Sequence, residues 1–159
     1  MLMKLVPIKR KEAKSIAEAA SKLGIEVELG GFKLAATLHG EQNEVLVIDR
    51  DPVLVMFQTG EVVPHVKAVG TRVRCHWVKV DDGAVPHVLR GADVMSPGIT
   101  SSDEFGEGDS VAVLDQRGRV LSTGIARLSS DDIRRVNRGS AIRTMHTIDD
   151  AVYRLADSL

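Results

Sequence analysis

The 159-residue sequence has little cysteine, few aromatic residues and no long hydrophobic run. The single cysteine, Cys75, excludes an internal disulfide and a cysteine-based zinc site, and it fits a reducing compartment. No stretch approaches the roughly 18 consecutive apolar residues of a membrane helix. The opening segment, Met1 to Pro7, also lacks the apolar core of a secretion signal. We therefore expect a cytoplasmic protein with no membrane partner.

Aromatic residues and net charge restrict how this chain could bind a nucleic acid. Phe, Trp and Tyr make up 3% of the sequence and do not alternate with basic residues, which argues against extended base stacking. Residues 1–75 carry 11 Lys or Arg and 9 Asp or Glu, a net of +2, whereas residues 76–159 carry 10 and 13, a net of −3. A polyanion needs concentrated positive charge, so any RNA contact is expected at a local patch.

Motifs for catalysis are absent from the sequence. It has no phosphate-binding loop, dinucleotide fingerprint, metalloprotease helix or Gly-x-Ser-x-Gly elbow. Neighbouring acid pairs flank turns or helix starts, where carboxylates accept backbone amide hydrogen bonds. The histidines are scattered, at spacings not typical of metal ligands, and for each we expect a structural or surface role and not metal binding: His39, His65, His76, His87 and His146. We predict no enzyme, no cofactor and no metal.

Hydrophobic periodicity in the first half predicts a helix followed by short strands. Lys9 to Leu23 has one apolar stripe and one charged stripe, and Gly24 follows as a stop. The period changes to two from Ile25 to Leu29, as in a half-buried strand. Two β-branched runs, Val45 to Ile48 and Val53 to Phe57, flank a turn-rich break and predict a hairpin. Residues 1–75 are therefore predicted to form a small α+β domain.

The second half, residues 76–159, predicts a small β-barrel with two short helices. The first helix follows Asp81-Asp82-Gly83 and ends at Gly91, and the second is capped by Ser129 and stops at Gly139. Pro97-Gly98 matches a type II turn, in which Gly98 would take positive φ. Short strands with frequent glycine turns complete the pattern: Ser110 to Leu114, Val120 to Leu128 and Ser140 to His146. The overall prediction is an α+β fold whose two domains pack tightly, since no flexible linker separates them.

Arginines cluster around the second short helix. Arg134 and Arg138 are four residues apart and would share a helix face, with Arg127 before them and Arg143 after them. The planar guanidinium donates two parallel hydrogen bonds, which suits phosphate. A solvated helix face, tempered by neighbouring aspartates, explains the same pattern, and the two readings stay open.

The run Gly91 to Thr100, followed by Gly108-Asp109, Gly124-Ile125-Ala126, Gly139 and His146, resembles a PUA domain. PUA domains are RNA-binding modules of pseudouridine synthases, archaeosine transglycosylases and some translation factors. The resemblance is closer to the malignant-T-cell-amplified-sequence family and its ligatin relatives, through Val80 to Val85, Leu89 to Met95, Ser129 to Ile133 and Val136 to Gly139. The first half resembles that family's pre-PUA domain. It is shorter than in eukaryotic members, as in an archaeal or otherwise streamlined version.

The resemblance implies a non-enzymatic translation factor that engages transfer RNA or ribosomal RNA, the small ribosomal subunit and a protein partner. It places RNA against the first helix of the PUA domain and the corner that follows. With the arginines above, the expected RNA-binding residues are Arg90, Gly91, Ala92, Met95, Pro97, Gly98, Ile99, Arg127, Arg134, Arg138, Arg143 and His146. Two alternatives remain: an RNA-targeting accessory subunit of a pseudouridine- or archaeosine-type modification enzyme, and a module that binds only proteins.

Overall fold

The computed structural model describes residues 4–159, so the first three residues of the N-terminal segment analysed above lie outside the described range. The first half contains one long helix and a series of short strands. Its elements are β1 (Lys4–Pro7), α1 (Arg10–Ser21), β2 (Glu26–Val27), β3 (Ala35–His39), β4 (Asn43–Ile48), β5 (Asp51–Phe57), β6 (Val62–Pro64) and β7 (Val73–Arg74).

Five of these strands form an antiparallel sheet in the order β1-β3-β4-β5-β6, and β2 pairs separately with β7. The predicted hairpin is β4 and β5, and it turns tightly because Asp49 and Arg50 both adopt positive φ, at 49° and 72°. Helix α1 packs on one face of the sheet, where Ala13 and Ala20 meet Leu46 in a shared core. The small α+β unit predicted for this half is confirmed.

The second half contains β8 (His76–Val80), α2 (Val85–Leu89), β9 (Val94–Met95), β10 (Ile99–Ser102), β11 (Ser110–Leu114), β12 (Val120–Ala126), α3 (Ser130–Val136), β13 (Ser140–Thr147) and α4 (Ala151–Ala156). Its six-stranded sheet has the order β10-β8-β11-β12-β13-β9. The two edge strands, β9 and β10, are joined by the single 3₁₀ turn Ser96–Gly98, so the sheet nearly closes on itself. Side chains from both edges, the central strands and two helices fill the interior, among them Val88, Val94, Val113 and Ile133. The predicted barrel is confirmed.

Two local predictions in this half were wrong. Gly98 does not adopt positive φ, because Ser96 to Gly98 form a 3₁₀ turn and not a type II turn. Hydrogen bonds from outside the segment hold this shape: Ser96 N donates to Gly139 O at 2.8 Å, and Asp81 N donates to Gly98 O at 2.9 Å. Arg138 does not lie on α3, which ends at Val136 before a left-handed residue.

Helix α4 was not predicted, and it joins the two halves. Asp150 caps the helix by accepting a hydrogen bond from Tyr153 N at 2.8 Å. The apolar side of α4 packs on the face of the first sheet that α1 leaves free, where Val152 and Leu155 meet Leu38 and other strand residues. We keep residues 1–75 and 76–159 as the proposed division, because each range contains its own sheet and core.

Candidate nucleic-acid interface

A groove of about 540 Å³ opens between the end of α2 and strand β13. Gly91 forms one wall, and its φ of 90° lets the chain leave the helix while Gly91 N donates to Val88 O at 2.9 Å. The opposite wall is formed by β13 and the turn that leads into α4. One hydrogen bond ties the walls together, because Thr144 Oγ1 donates to Ala92 O at 2.8 Å.

Asp93 holds the segment after Gly91 against β13. Its carboxylate accepts hydrogen bonds from Ser140 Oγ at 3.1 Å and from Thr144 N at 3.3 Å. The same carboxylate lies 3.1 Å from Arg127 Nη2. Arg127 is one of the expected RNA-binding residues. Its side chain is half-exposed, but its guanidinium already has a carboxylate partner.

Three arginines, two of them in the wall of the groove, have no such partner within residues 4–159. Arg90 and Arg154 both line it, and Arg154 was not among the expected residues because α4 itself was missed. Arg138 lies beside Gly139, whose carbonyl oxygen accepts from Ser96 N and so places Arg138 next to the 3₁₀ turn. None of the three guanidinium groups forms an ion pair with a side chain in residues 4–159. Asp149 and Asp150 line the same groove, but neither carboxylate pairs with these arginines in the described residues.

The remaining expected arginines have carboxylate partners. Arg134 lies between Asp131 and Glu104, at 2.7 Å and 3.0 Å, and the hydrogen bond to Asp131 raises the pKa of the guanidinium. Arg143 pairs with Glu61 of the first half at 3.3 Å. Exposed ion pairs contribute little stability and weaken in salt, so these arginines remain able to exchange partners. Without RNA, however, carboxylates neutralise the arginine on α3, as the alternative interpretation of a solvated helix face describes.

The corner beside the groove presents both backbone and apolar surface. Ala92 and Pro97 are exposed, Met95 is 51% exposed, and Leu89 at the end of α2 is 41% exposed. Ile99 is different, because it is half-buried and packs against the barrel core. Gly98 is also half-buried, so the outer surface of the corner consists mainly of Ala92, Met95, Pro97 and the backbone around Gly91.

His146, also expected to bind RNA, is buried inside the contact between the two halves. Its Nε2 accepts a hydrogen bond from Val66 N at 3.2 Å, which leaves the proton on Nδ1, 2.9 Å from an oxygen of Asp150. Asp150 in turn caps α4. The side chain thus connects the first half to the start of α4, and although it lines the groove it is only 1% exposed. We leave it out of the proposed interface.

His65 lies against His146, with the ring centroids 4.6 Å apart. Its Nδ1 accepts a hydrogen bond from Lys67 N at 3.2 Å, and Tyr153 stacks over the ring at 5.9 Å. Burial, with the nearby His146 as a second cause, lowers the pKa of His65 to about 3, so the imidazole is neutral at physiological pH. The structural role expected of both histidines is what the contacts show. No local pattern indicated their contact.

The part of the chain that the structure describes contains no group of three or more His, Cys, Asp or Glu side chains placed to hold a metal ion. Within the same residues, no helix is both long enough and apolar enough to cross a membrane. Cys75 is largely enclosed, and burial raises the pKa of its thiol to about 12, so it stays protonated.

Comparison with known proteins identifies the fold that carries this groove. The family model of the PUA domain matches residues 76–148, which include both walls of the groove up to Ile148. Residues 76–148 are a PUA domain. The chain is similar to Malignant T-cell-amplified sequence 1 of Danio rerio, with 35% identity over 82 residues, 48% of this chain and 45% of the relative. The match therefore spans less than half the length of that protein.

Two further similarities extend beyond the PUA domain. Translation machinery-associated protein 20 of Eremothecium gossypii is 30% identical over 112 residues, which cover 65% of this chain and 62% of that protein. The solved structure of a conserved PUA domain protein from Thermoplasma acidophilum superposes with a TM-score of 0.79 at 28% identity, covering 95% of this chain and 98% of the other. The resemblance to the malignant-T-cell-amplified-sequence proteins, in a compact form, is confirmed.

Proposed function

We propose that this PUA-domain protein is a non-enzymatic, translation-associated factor that docks on transfer RNA or ribosomal RNA through the groove between α2 and β13. The groove with its unpaired arginines, Arg90 and Arg154, is the observation that carries the proposal. The name of the relative Translation machinery-associated protein 20 supports the association with translation. A place in the cytoplasm belongs to the same proposal, because translation takes place there.

The dimensions and lining of the groove suit an unpaired RNA end more than a duplex. A volume of about 540 Å³ lies in the range of small-ligand pockets, enough for one or two nucleotides. Gly91 has no side chain to hinder a phosphate or sugar, and the exposed Leu89 and Met95 offer apolar surface to a base. The guanidinium groups of Arg90 and Arg154 would meet the phosphates.

Local charge explains how a chain with net charge −1 binds a polyanion. Arg90 and Arg154 line the groove and form no ion pair within residues 4–159, although Asp149 and Asp150 line it too. Arg138 lies apart from them, beside the 3₁₀ turn. This arrangement allows only a few contacts with RNA phosphates. We therefore expect the RNA to bind at one place on the surface, with an affinity that depends only moderately on salt concentration. Arg127, Arg134 and Arg143 are secondary contacts, available only if an RNA phosphate displaces a carboxylate.

Fluorescence anisotropy with transfer RNA, with and without its 3′ CCA end, tests the proposal. We expect tight binding only when the unpaired end is present, and weaker binding for Arg90→Gln. The matched control is Arg74→Gln, which removes an exposed and unpaired arginine from the β2–β7 ribbon of the first half. Equal binding of both transfer RNAs would contradict a groove that accepts an unpaired end.

Co-sedimentation separates this function from the alternatives. Recovery with small ribosomal subunits is the result expected of a translation factor. Recovery only with an RNA-modification enzyme would support the accessory-subunit alternative. Recovery with neither, together with no binding to transfer RNA, would point to a module that binds only proteins.

A further inference from the structure

A second groove, of about 570 Å³, lies on the first half of the chain, on the face of the five-stranded sheet that α4 only partly covers. Residues opposite each other on antiparallel strands share a face. Leu5 and Pro7 of β1 oppose Leu38 and Ala36 of β3, so all four side chains lie on this face. Helix α4 packs farther along the sheet, and Ser158 and Leu159 after it also line the groove. No other element of residues 4–159 covers the part next to β1.

The part of this face that α4 does not cover exposes large apolar side chains to solvent. Leu34 is 71% exposed and Leu5 is 52% exposed, the two highest values among the large apolar side chains of residues 4–159. Both line the groove, together with the buried Leu38 and Val47. Contiguous apolar surface of this kind marks an interaction site more often than isolated exposed leucines do.

One charged side chain lines this groove, and it is basic. Arg50 is exposed at the tip of the β4–β5 hairpin, and no carboxylate within the described part of the chain pairs with it. Its neighbour Asp49 is already engaged, because its carboxylate accepts from Lys33 N and Leu34 N at 2.9 Å each. The groove therefore combines apolar walls with one uncompensated positive charge at its end.

These features select among possible occupants. A second copy bound about a two-fold axis would bring a second Arg50 to the interface and no side-chain carboxylate from the groove to pair with either arginine. An added β-strand would find a short edge in which Pro7 has no amide to donate. We propose that the groove binds an amphipathic helix from a partner protein, with leucine-type residues against Leu5 and Leu34 and a carboxylate facing Arg50. This inference is independent of the RNA-binding proposal.

Two synthetic helical peptides test the groove. They share one leucine face, and their flanks carry glutamate in one peptide and lysine in the other. We expect the glutamate peptide to bind the full chain at least fivefold more tightly than the lysine peptide, and Arg50→Glu to reverse that order. Leu34→Ser should weaken binding of the glutamate peptide at least tenfold. Val136→Ser, which alters an exposed apolar residue on α3, is the matched control and should leave peptide binding unchanged.

Several outcomes would overturn this inference. They are equal binding of the two peptides, no binding of either at millimolar concentration, and equal loss of binding in Leu34→Ser and Val136→Ser. Sedimentation velocity adds one more: a wild-type dimer that Leu34→Ser dissociates would make a second copy the occupant. RNA binding by each variant is measured in parallel, because it should be retained and because its failure would concern the PUA groove and not this one.

Discussion

Lowering the pH from 7 to 5 is expected to destabilise the fold through His65, a fully buried side chain where the two halves meet. Burial lowers the pKa of His65 from 6.5 to about 3 in the folded chain. Between these two values the unfolded chain binds a proton that the folded chain does not, so stability falls as the pH drops through 6.5. At roughly 1.4 kcal/mol for each unit below 6.5, the loss at pH 5 is about 2 kcal/mol. For a chain of this size, that loss lowers Tm by about 4–8 °C.

The assay is urea unfolding at pH 7 and pH 5, for the wild type and for His65→Asn. The asparagine side-chain oxygen can replace Nδ1 as acceptor for Lys67 N, and the amide does not titrate in this range. The smaller side chain lowers stability at both pH values, so the informative quantity is the difference between them. We expect the wild type to lose about 2 kcal/mol more than the variant. An equal loss in both would show that His65 is not the group that links pH to stability.

Three glycine substitutions test the local geometry of the barrel by thermal unfolding. Gly98→Ala should be tolerated, because the added Cβ would meet Ala84 Cβ at an ordinary 3.4 Å and φ is not positive. Gly91→Ala should lower the free energy of unfolding by about 1–2 kcal/mol, because the left-handed conformation is unfavourable for alanine. A larger loss for Gly98→Ala than for Gly91→Ala would support a type II turn at Gly98 in place of the 3₁₀ turn. Gly124→Ala should cost more than either, at least about 2 kcal/mol, because its Cβ would lie 2.2 Å from Arg143 O on the paired strand. A stable Gly124→Ala protein would mean that β12 and β13 pair differently.

Elements defined by local sequence were predictable. The β4–β5 hairpin and the Ser129 cap, which accepts from Asp132 N at 3.1 Å, depend on residues within a few positions of each other. Gly91 ends α2 as expected because a left-handed C-terminal residue is a local requirement. In these places, turn chemistry and hydrophobic period indicate the same structure, and long-range contacts support it.

Features set by distant contacts could not be predicted. The 3₁₀ turn at Gly98 depends on hydrogen bonds to Gly139 and Asp81, which no local pattern indicates. The burial of His146 depends on Val66, 80 residues earlier in the chain. Helix α4 is only six residues long, so its stability comes from packing on the first sheet and not from its own sequence.

The candidate site was located in part. The motif around Gly91 indicated the corner that borders the proposed groove, and Arg90 lies there without an ion-pair partner in residues 4–159. The spacing of arginines did not reveal which of them are neutralised, because Glu104 and Glu61 reach Arg134 and Arg143 from elsewhere in the fold. The spacing of arginines along a chain shows which helix or strand carries them. The tertiary structure decides which carboxylate each guanidinium pairs with.

The salt dependence of RNA binding tests the central claim most directly. The dissociation constant for transfer RNA is measured across a salt series for the wild type, for the double variant Arg90→Gln, Arg154→Gln, and for Arg74→Gln as the control. Each lost phosphate contact to single-stranded RNA lowers the slope of log K against log salt by about 0.7, so the double variant should lose about 1.4. The control should keep the wild-type slope. An unchanged slope in a folded double variant would show that the groove between α2 and β13 does not hold the RNA backbone.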